Sequence, residues 1–463
     1  LHERLPVHRA VTAHAAVGRA LAVGHAGRTD DIAGRLAEHF VASNDHRRAV
    51  EYLRIVGERS ERRSAFGAAT TALLDALDHL HHLPTGPDRD QAELRVRLAL
   101  GPALVATRGW YGAEVAENYE RALALCGASP CAEAAFARYG LATVTELRGE
   151  YERTEQLLTP LIPDGADMNV EAKELMACSA FHQGKFELSL DMATNVVDGW
   201  DGRSASEAMA RLAEHPVSAS YSWASLATWC LGRTDESLEL AARAVAVGEE
   251  HLYALSTARV QRAFLHQLRR EPDECRRWAD GARELALAQG FPMRAVQSEM
   301  LLGWVDAMVG DPLGAERIRT ALTAFQATGA RLSKPYFLGL LAEAELLHGR
   351  PDDAVAIAAD GLREMTRGSR TFFAAPELHR IEAKALAMCG RDDEAREHID
   401  AAVRLAQELR SPVLELRALV EVVRAGIGGT PSRTRLAELA EQITGDGASD
   451  DLVEARTLVA RSP

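Results

Sequence analysis

Aromatic residues make up only 5% of this 463-residue chain. A core short of large rings must be filled mostly by small and aliphatic side chains. Lysine is almost missing, standing only at Lys173, Lys185, Lys334 and Lys384, so positive charge is carried nearly everywhere by arginine. Positive charge is also in deficit overall. A net charge of −14 argues against direct nucleic-acid or anionic-membrane binding, since both select cationic stripes. No apolar run approaches the roughly 20 residues that cross a bilayer, and no secretory leader opens the chain. The six cysteines, at 126, 131, 178, 230, 275 and 389, form no CxxC pair. They read as buried free thiols in a reducing, cytoplasmic setting. A phosphate-cradling GxxxxGK[ST] loop, a GxSxG elbow and an HExxH helix are all absent, which removes those routes to catalysis. No catalytic residue, metal site or cofactor is expected.

What the chain does have is a repeat. The turn signals Gly232-Arg-Thr-Asp-Glu, Gly349-Arg-Pro-Asp-Asp and Gly390-Arg-Asp-Asp-Glu each separate two helical stretches. Weaker versions stand at Asn44, Gly149, Gly184, Arg270 and Gly310, and from Gly149 onward the spacings are 35, 48, 38, 40, 39 and 41 residues. Seven residues before each turn lie Ala37, Ala142, Ala177, Ser225, Ala263, Gly303, Ala342 and Ala383. Five residues after it lie Ala49, Thr154, Ser189, Ser237, Cys275, Ala315, Ala354 and Ala395. Small side chains on both arms let two helices approach closely. The pattern matches a tetratricopeptide unit, about 34 residues long, with lengthened connections. The expected fold is all-α: a right-handed superhelical solenoid of tetratricopeptide-like helix hairpins. Glycine at the turn suits a left-handed C-cap, and the Asp or Thr that follows is expected to cap the second helix.

Segment readings follow from that rhythm. Residues 26–197 and 218–425 are read as two runs of repeats, separated by an insertion at 198–217 that carries Gly199, Gly202 and Pro216. Residues 83–90 are read as a loop, and 426–463 as a terminal capping helix and tail. Function in such an array belongs on the concave wall lined by first helices. Six residues before the turns stand Phe264, Trp304, Glu343 and Lys384. Thirteen before stand Gln297, Tyr336 and Glu377; ten before, Arg380; three before, Trp229 and Gln267. Aromatic and charged side chains mixed along a groove suit a peptide, protein or small-molecule effector. The alternative for Trp229 and Trp304 is packing between neighbouring repeats.

Other clusters have plainer readings. Asp75, Asp78, His79 and His82 share one helix face, and that spacing can present a carboxylate–imidazole metal site. A solvated face near a helix C-terminus, where imidazole suits the dipole, is the stronger reading. The pairs Asp30/Asp31, Asp352/Asp353 and Asp392/Asp393 recur beside helix starts, as first-turn carboxylates do. Arg54, Arg59, Arg62 and Arg63 are interleaved with Glu51, Glu58 and Glu61, so they read as a solvated surface.

Several segments resemble the C-terminal helical half of large bacterial signalling ATPases. They include Leu265-His-Gln-Leu-Arg-Arg-Glu-Pro, Gln289-Gly-Phe-Pro, Leu301-Leu-Gly-Trp, the stretch from Ala330 to Glu343, and Glu377-Leu-His-Arg. Upstream, Glu38-His-Phe, Asp45-His-Arg-Arg-Ala-Val-Glu-Tyr-Leu and the stretch from Leu98 to Trp110 are similar to the same family. These are the STAND ATPase regulators of the AfsR and MalT type, which carry a winged-helix activator or a nucleotide cyclase ahead of the ATPase. The resemblance implies that residues 1–25 are the tail of the helical region behind an ATPase. It implies a sensor arm whose partners are an effector in the groove and the ATPase and effector domains of the same protein. Beginning at Leu1, the chain is expected to be part of something longer. A free-standing tetratricopeptide scaffold and the regulatory tail of a class III nucleotide cyclase remain open as alternatives.

Overall fold

The computed structural model describes residues 6–63, 65–127, 131–200, 215–365, 372–445 and 450–460. Among them lie 23 α-helices and no strand beyond one isolated bridge between Arg233 and Thr444. None of the described helices is long and apolar enough to cross a membrane. The chain divides into two compact units, residues 1–144 and 145–463. Both are built from antiparallel helix hairpins of a superhelical repeat fold.

The turns explain the hairpins. Asn44, Gly149, Gly184, Gly232, Arg270, Gly310, Gly349 and Gly390 all take positive φ, between 55° and 84°. Each therefore ends a first helix in the left-handed conformation, including Asn44 and Arg270, which have a Cβ. Capping is different from expectation. Asp45 caps its helix by accepting the Arg48 N–H at 3.3 Å, and Asp311 accepts the Leu313 N–H at 2.9 Å just ahead of the next helix. At the other turns the cap positions fall on residues such as Glu150, Lys185, Arg233, Glu271 and Arg391, none with a side-chain cap bond. The anticipated Thr234 and Asp392 sit one position later, as the first helical residues, where acidic side chains act on the dipole instead.

All sixteen small positions flanking the turns are buried. The approach is closest between the helices Pro292–Met308 and Gly314–Ala327. There a Cβ on Gly303 would stand 2.8 Å from the Gly314 carbonyl oxygen. Elsewhere a hydroxyl bridges the arms, as when Ser189 donates to the Ala177 carbonyl at 2.7 Å.

In the first unit, helices α1 (Val7–Gly24), α2 (Ala33–Ala42), α3 (His46–Glu61), α4 (Phe66–Leu80), α5 (Pro87–Arg108) and α6 (Ala113–Cys126) follow one another. The loop read at 83–90 is shorter than expected, because Pro87 serves as a first-turn proline of α5. The division between units falls inside α7 (Ala132–Leu147).

The second unit turns back on itself. Orphan carbonyls at the C-terminal ends of early first helices meet donors just ahead of much later first helices. Arg331 and Leu332 N–H groups reach the Leu147 carbonyl at 3.0 and 3.1 Å, and Phe373 N–H reaches that of His182 at 3.0 Å. The Ser411 hydroxyl donates to the Cys230 carbonyl, 181 residues away, at 2.7 Å. Thr444 N–H donates to the Gly232 carbonyl and Thr234 N–H to the Thr444 carbonyl, both at 2.9 Å. The stretch read as one capping helix holds two, Gly429–Gln442 and Asp450–Ala460, and Thr444, just past the first, helps close this seam. Most of the insertion read at 198–217 lies outside the described residues, as do 1–5 of the segment read as 1–25.

Candidate functional site

The seam brings the concave wall of the second unit into an interior axis. Of the ten groove residues, Trp229, Phe264, Gln267, Trp304, Tyr336, Glu343 and Arg380 are buried; Gln297 and Glu377 are half-buried, and Lys384 is exposed. One end of the axis is aromatic. Phe264 packs on Tyr336 with ring centroids 4.2 Å apart, and Phe373 joins both, at 6.0 and 5.8 Å. Phe373 also lies 4.7 Å from Phe181. The Tyr336 hydroxyl donates to Gln267 Oε1 at 2.7 Å. Gln297 accepts from Arg294 at 2.9 Å.

Towards the other end the lining becomes ionic. Glu343 accepts from Arg270 and from the Trp304 indole N–H, both at 2.8 Å. Arg380 reaches Glu377 at 3.1 Å, Glu421 at 3.3 Å and Glu343 at 3.7 Å. Arg417 lies 5.0 Å over the Trp229 ring, pairs with Asp451 and donates to the Leu268 carbonyl. Burial alone would raise the Glu343 carboxyl, but Arg270 and Arg380 overcome it and hold the pKa at about 2. Burial opposes the charge of Glu377 too, and Arg380 and Arg417 again prevail and lower its pKa. These acids are therefore ionised and matched by guanidinium groups, the condition for keeping charge in a dry interior. The network opens to solvent through a cavity of about 180 Å³ lined by Arg270, Glu343, Arg380, Lys384, Arg417 and Glu454, among others. Lys384 stands at its edge. Only about 30 Å³ remains around Trp229, Tyr336 and Phe373, room for little more than a water.

Three residues that the sequence reading did not bring together form a second buried group near the aromatic end. Glu146, Cys178 and His182 bring a carboxylate oxygen, a sulfur and a ring nitrogen within 4.8 Å of one another, the one such His/Cys/Asp/Glu group among the described residues. Burial raises the Glu146 pKa to about 8, against hydrogen bonds from Ser179 and Cys178, and lowers that of His182 to about 4. The repeat register contained this signal. Glu146 lies three residues before the Gly149 turn and Cys178 six before the Gly184 turn, the same offsets that picked out Trp229 and Trp304.

The remaining clusters do not assemble a site. Asp75 and Asp78 are exposed, while His79 turns to His46, with Nδ1 atoms 2.8 Å apart, and His82 stacks on His46 at 4.4 Å. The cysteines are less uniformly buried than expected. Cys178, Cys230 and Cys275 are buried, Cys126 and Cys389 are half-buried, and Cys131 is exposed. Asp352 and Asp392 lie in first helical turns.

No protein-family model and no curated protein matches this chain. Solved structures of other repeat proteins do. A Rap protein complexed with competence and sporulation factor aligns at a TM-score of 0.49 and 12% identity, covering 78% of this chain and 98% of that one. The Cut9–Hcn1 hetero-tetramer of the APC/C gives 0.44 and 13%, covering 93% and 89%. A tetratricopeptide repeat protein from Parabacteroides merdae gives 0.34 and 12%, covering 60% and 97%. The tetratricopeptide character of this chain rests on its own geometry: eight left-handed turns, each flanked by buried small residues on both arms.

Proposed function

We propose that this chain is the sensor and autoregulatory arm of an ATPase-containing bacterial transcriptional regulator, with the axis of the second unit as its effector seat. A repeat array of this kind is a binding scaffold, and its concave face is the surface it offers. The observation that carries the reading is the ionic lining of that face. Arginines and acids are held in matched pairs, open to solvent at Lys384 and closed off by Phe264, Tyr336 and Phe373. A peptide or small polar effector with its own charges can exchange partners with these pairs. Room for it comes from parting the seam, so the effector favours an open arrangement only through its higher affinity for that arrangement. The ATPase and activator domains of the same protein then respond to the change of curvature.

Native mass spectrometry of the chain purified from its own cells tests the seat. A bound effector is expected, and the Lys384→Glu variant, altered at an exposed position, should lose it. An effector retained equally by that variant removes the axial assignment. A full-length regulator that keeps its response after residues 145–463 are deleted removes the sensor role. The reading frame ahead of Leu1 separates this reading from the free-standing scaffold and the cyclase tail.

A further inference from the structure

Glu146, Cys178 and His182 are 1%, 5% and 0% exposed. Cys178 Sγ lies 3.4 Å from Glu146 Oε1 and 3.7 Å from His182 Nδ1, and Nδ1 lies 3.6 Å from the same Oε1. Sulfur, nitrogen and oxygen donors bound tetrahedrally to zinc at their usual bond lengths stand roughly 3.3–3.6 Å apart. The three edges found here, at 3.4, 3.6 and 3.7 Å, are close to that triangle, and the nitrogen–oxygen edge is too long for a hydrogen bond.

Three further features favour an ion. Glu146 Oε2 is buried with no hydrogen-bond partner, which leaves one more donor for a carboxylate that grips through both oxygens. His182 Nε2 lies 2.7 Å from the Ser333 hydroxyl, the outer-shell contact that fixes the tautomer of a metal-bound imidazole. Charge also balances. The buried Glu343 and the half-buried Glu377 have arginines, whereas the more deeply buried Glu146 is hydrogen-bonded by the neutral Ser179 and Cys178. A divalent cation with one thiolate and one carboxylate is neutral overall, which removes the cost of burying a lone charge.

We propose that Glu146, Cys178 and His182 form a structural site for a divalent transition metal of zinc's softness, bound through Oε1 and Oε2, Sγ and Nδ1. Binding displaces the thiol proton and the carboxylic proton to solvent, forms the metal–sulfur, metal–oxygen and metal–nitrogen bonds, and oxidises nothing. The imidazole proton moves from Nδ1, which gives up its bond to the Cys178 carbonyl 2.9 Å away in the same helix, to Nε2, which then donates to the Ser333 hydroxyl. The ion then ties α7 to the helix Asn169–His182. Through Ser333, which precedes Lys334–Leu347 by one residue, it also holds the seam where Leu147 accepts from Arg331 and Leu332. The site is separate from the effector seat and stands or falls independently of it.

The test uses the whole chain carrying Cys126→Ser and Cys131→Ser, which removes the accessible thiol pair. Elemental analysis after dialysis should find about one zinc per chain, held by three protein ligands away from solvent. Cobalt(II) in its place should give a thiolate charge-transfer band with tetrahedral visible bands. Glu146→Gln and Cys178→Ser should each lower metal content at least tenfold, while Cys230→Ser, at another buried thiol, leaves it unchanged. Zinc should raise the melting temperature of the unaltered protein and a chelator reverse it, a readout that needs no variant to fold. Metal content below one-tenth per chain overturns the site. So does a cobalt complex without the sulfur band, which the imidazoles of His46, His79 and His82 would produce, or a melting temperature indifferent to zinc.

Discussion

Compared side by side, the two units keep buried charge in different ways. In residues 1–144, Glu93 is held by Arg97 at 2.8 Å and by Arg121 at 2.9 and 3.0 Å, partners at most 28 residues away. The bonds from Arg121, ahead of the burial that opposes them, bring the Glu93 pKa to about 2. In residues 145–463, Glu343 draws on Arg270, 73 residues away, and Trp304, 39 residues away. The first arrangement is made by adjacent hairpins. The second reaches one and two repeats along the concave wall, which Arg417 ties across the closure through the Leu268 carbonyl. A repeat stack with nearest-neighbour contacts alone loses stability locally when a contact is removed; a closed one should lose it cooperatively.

The largest expected effect is at that contrast. Glu343→Gln leaves Arg270 and Arg380 in the interior short of a countercharge, and urea unfolding should show a loss of about 3–5 kcal/mol. Glu93→Gln, whose partner Arg121 has a 46% exposed side chain, should cost about 1–2 kcal/mol. Equal losses would break the distinction. The sign with pH is fixed as well. The folded pKa of Glu343 lies below its ordinary 4.5, so its stabilisation is complete above pH 4.5 and disappears as pH falls towards 2. The Glu343→Gln variant should lack that acid limb.

Next comes packing. Gly303→Ala places a methyl against the Gly314 backbone oxygen, and about 2–3 kcal/mol is expected from thermal melts. Gly57→Ala in the first unit presses on the buried Leu73 side chain, with Cγ 2.5 Å away, so a comparable loss through side-chain rather than backbone displacement is expected there.

A third test concerns His379, whose Nδ1 lies 3.1 Å from that of His398. Burial, then His398 and Arg404, lower its pKa to about 4. Stability linked to it is present above the ordinary 6.5 and is lost as pH falls from there towards 4. The neighbouring Glu382, raised to about 7 mainly by burial, slopes the other way, so the contribution shows as a difference between chains. At pH 5, His379→Gln should be relatively stabilised by up to about 2 kcal/mol compared with its effect at pH 8.

The smallest effect is at the seam. Ser411→Ala removes the bond to the Cys230 carbonyl and the N-cap bond from Leu414 N–H, and should cost about 1–1.5 kcal/mol. Amide exchange should quicken at residues 411–424 with no change in the first unit. If both units respond, closure reaches further than the seam.

Much of the hairpin geometry was legible in the sequence. A left-handed turn and two flanking small residues lie within 12 positions of one another, as at Ala342, Gly349 and Ala354. Their requirements are local and steric. The register placed Phe264, Trp304, Glu343 and Arg380 on one wall for the same reason. Capping was misjudged because one residue of phase separates a cap from a first-turn position, and composition alone does not resolve it. Arg417, Asp451 and Phe373 went unnoticed as axial residues because they reach the axis through the return of the chain. Glu146 and Cys178 were visible in the register, but their convergence with His182 was not.

The sequence by itself determined that this protein is an all-α array of hairpins, where each unit turns, and which small residues let its helices touch. Those properties depend on backbone conformation and contacts between near neighbours along the chain. Only the tertiary structure decided that the second unit closes, turning a concave wall into a largely buried ionic axis and gathering a carboxylate, a thiol and an imidazole beside it. Closure sums small repeat-to-repeat rotations over more than 180 residues, from Cys230 to Ser411, and no local pattern records that sum.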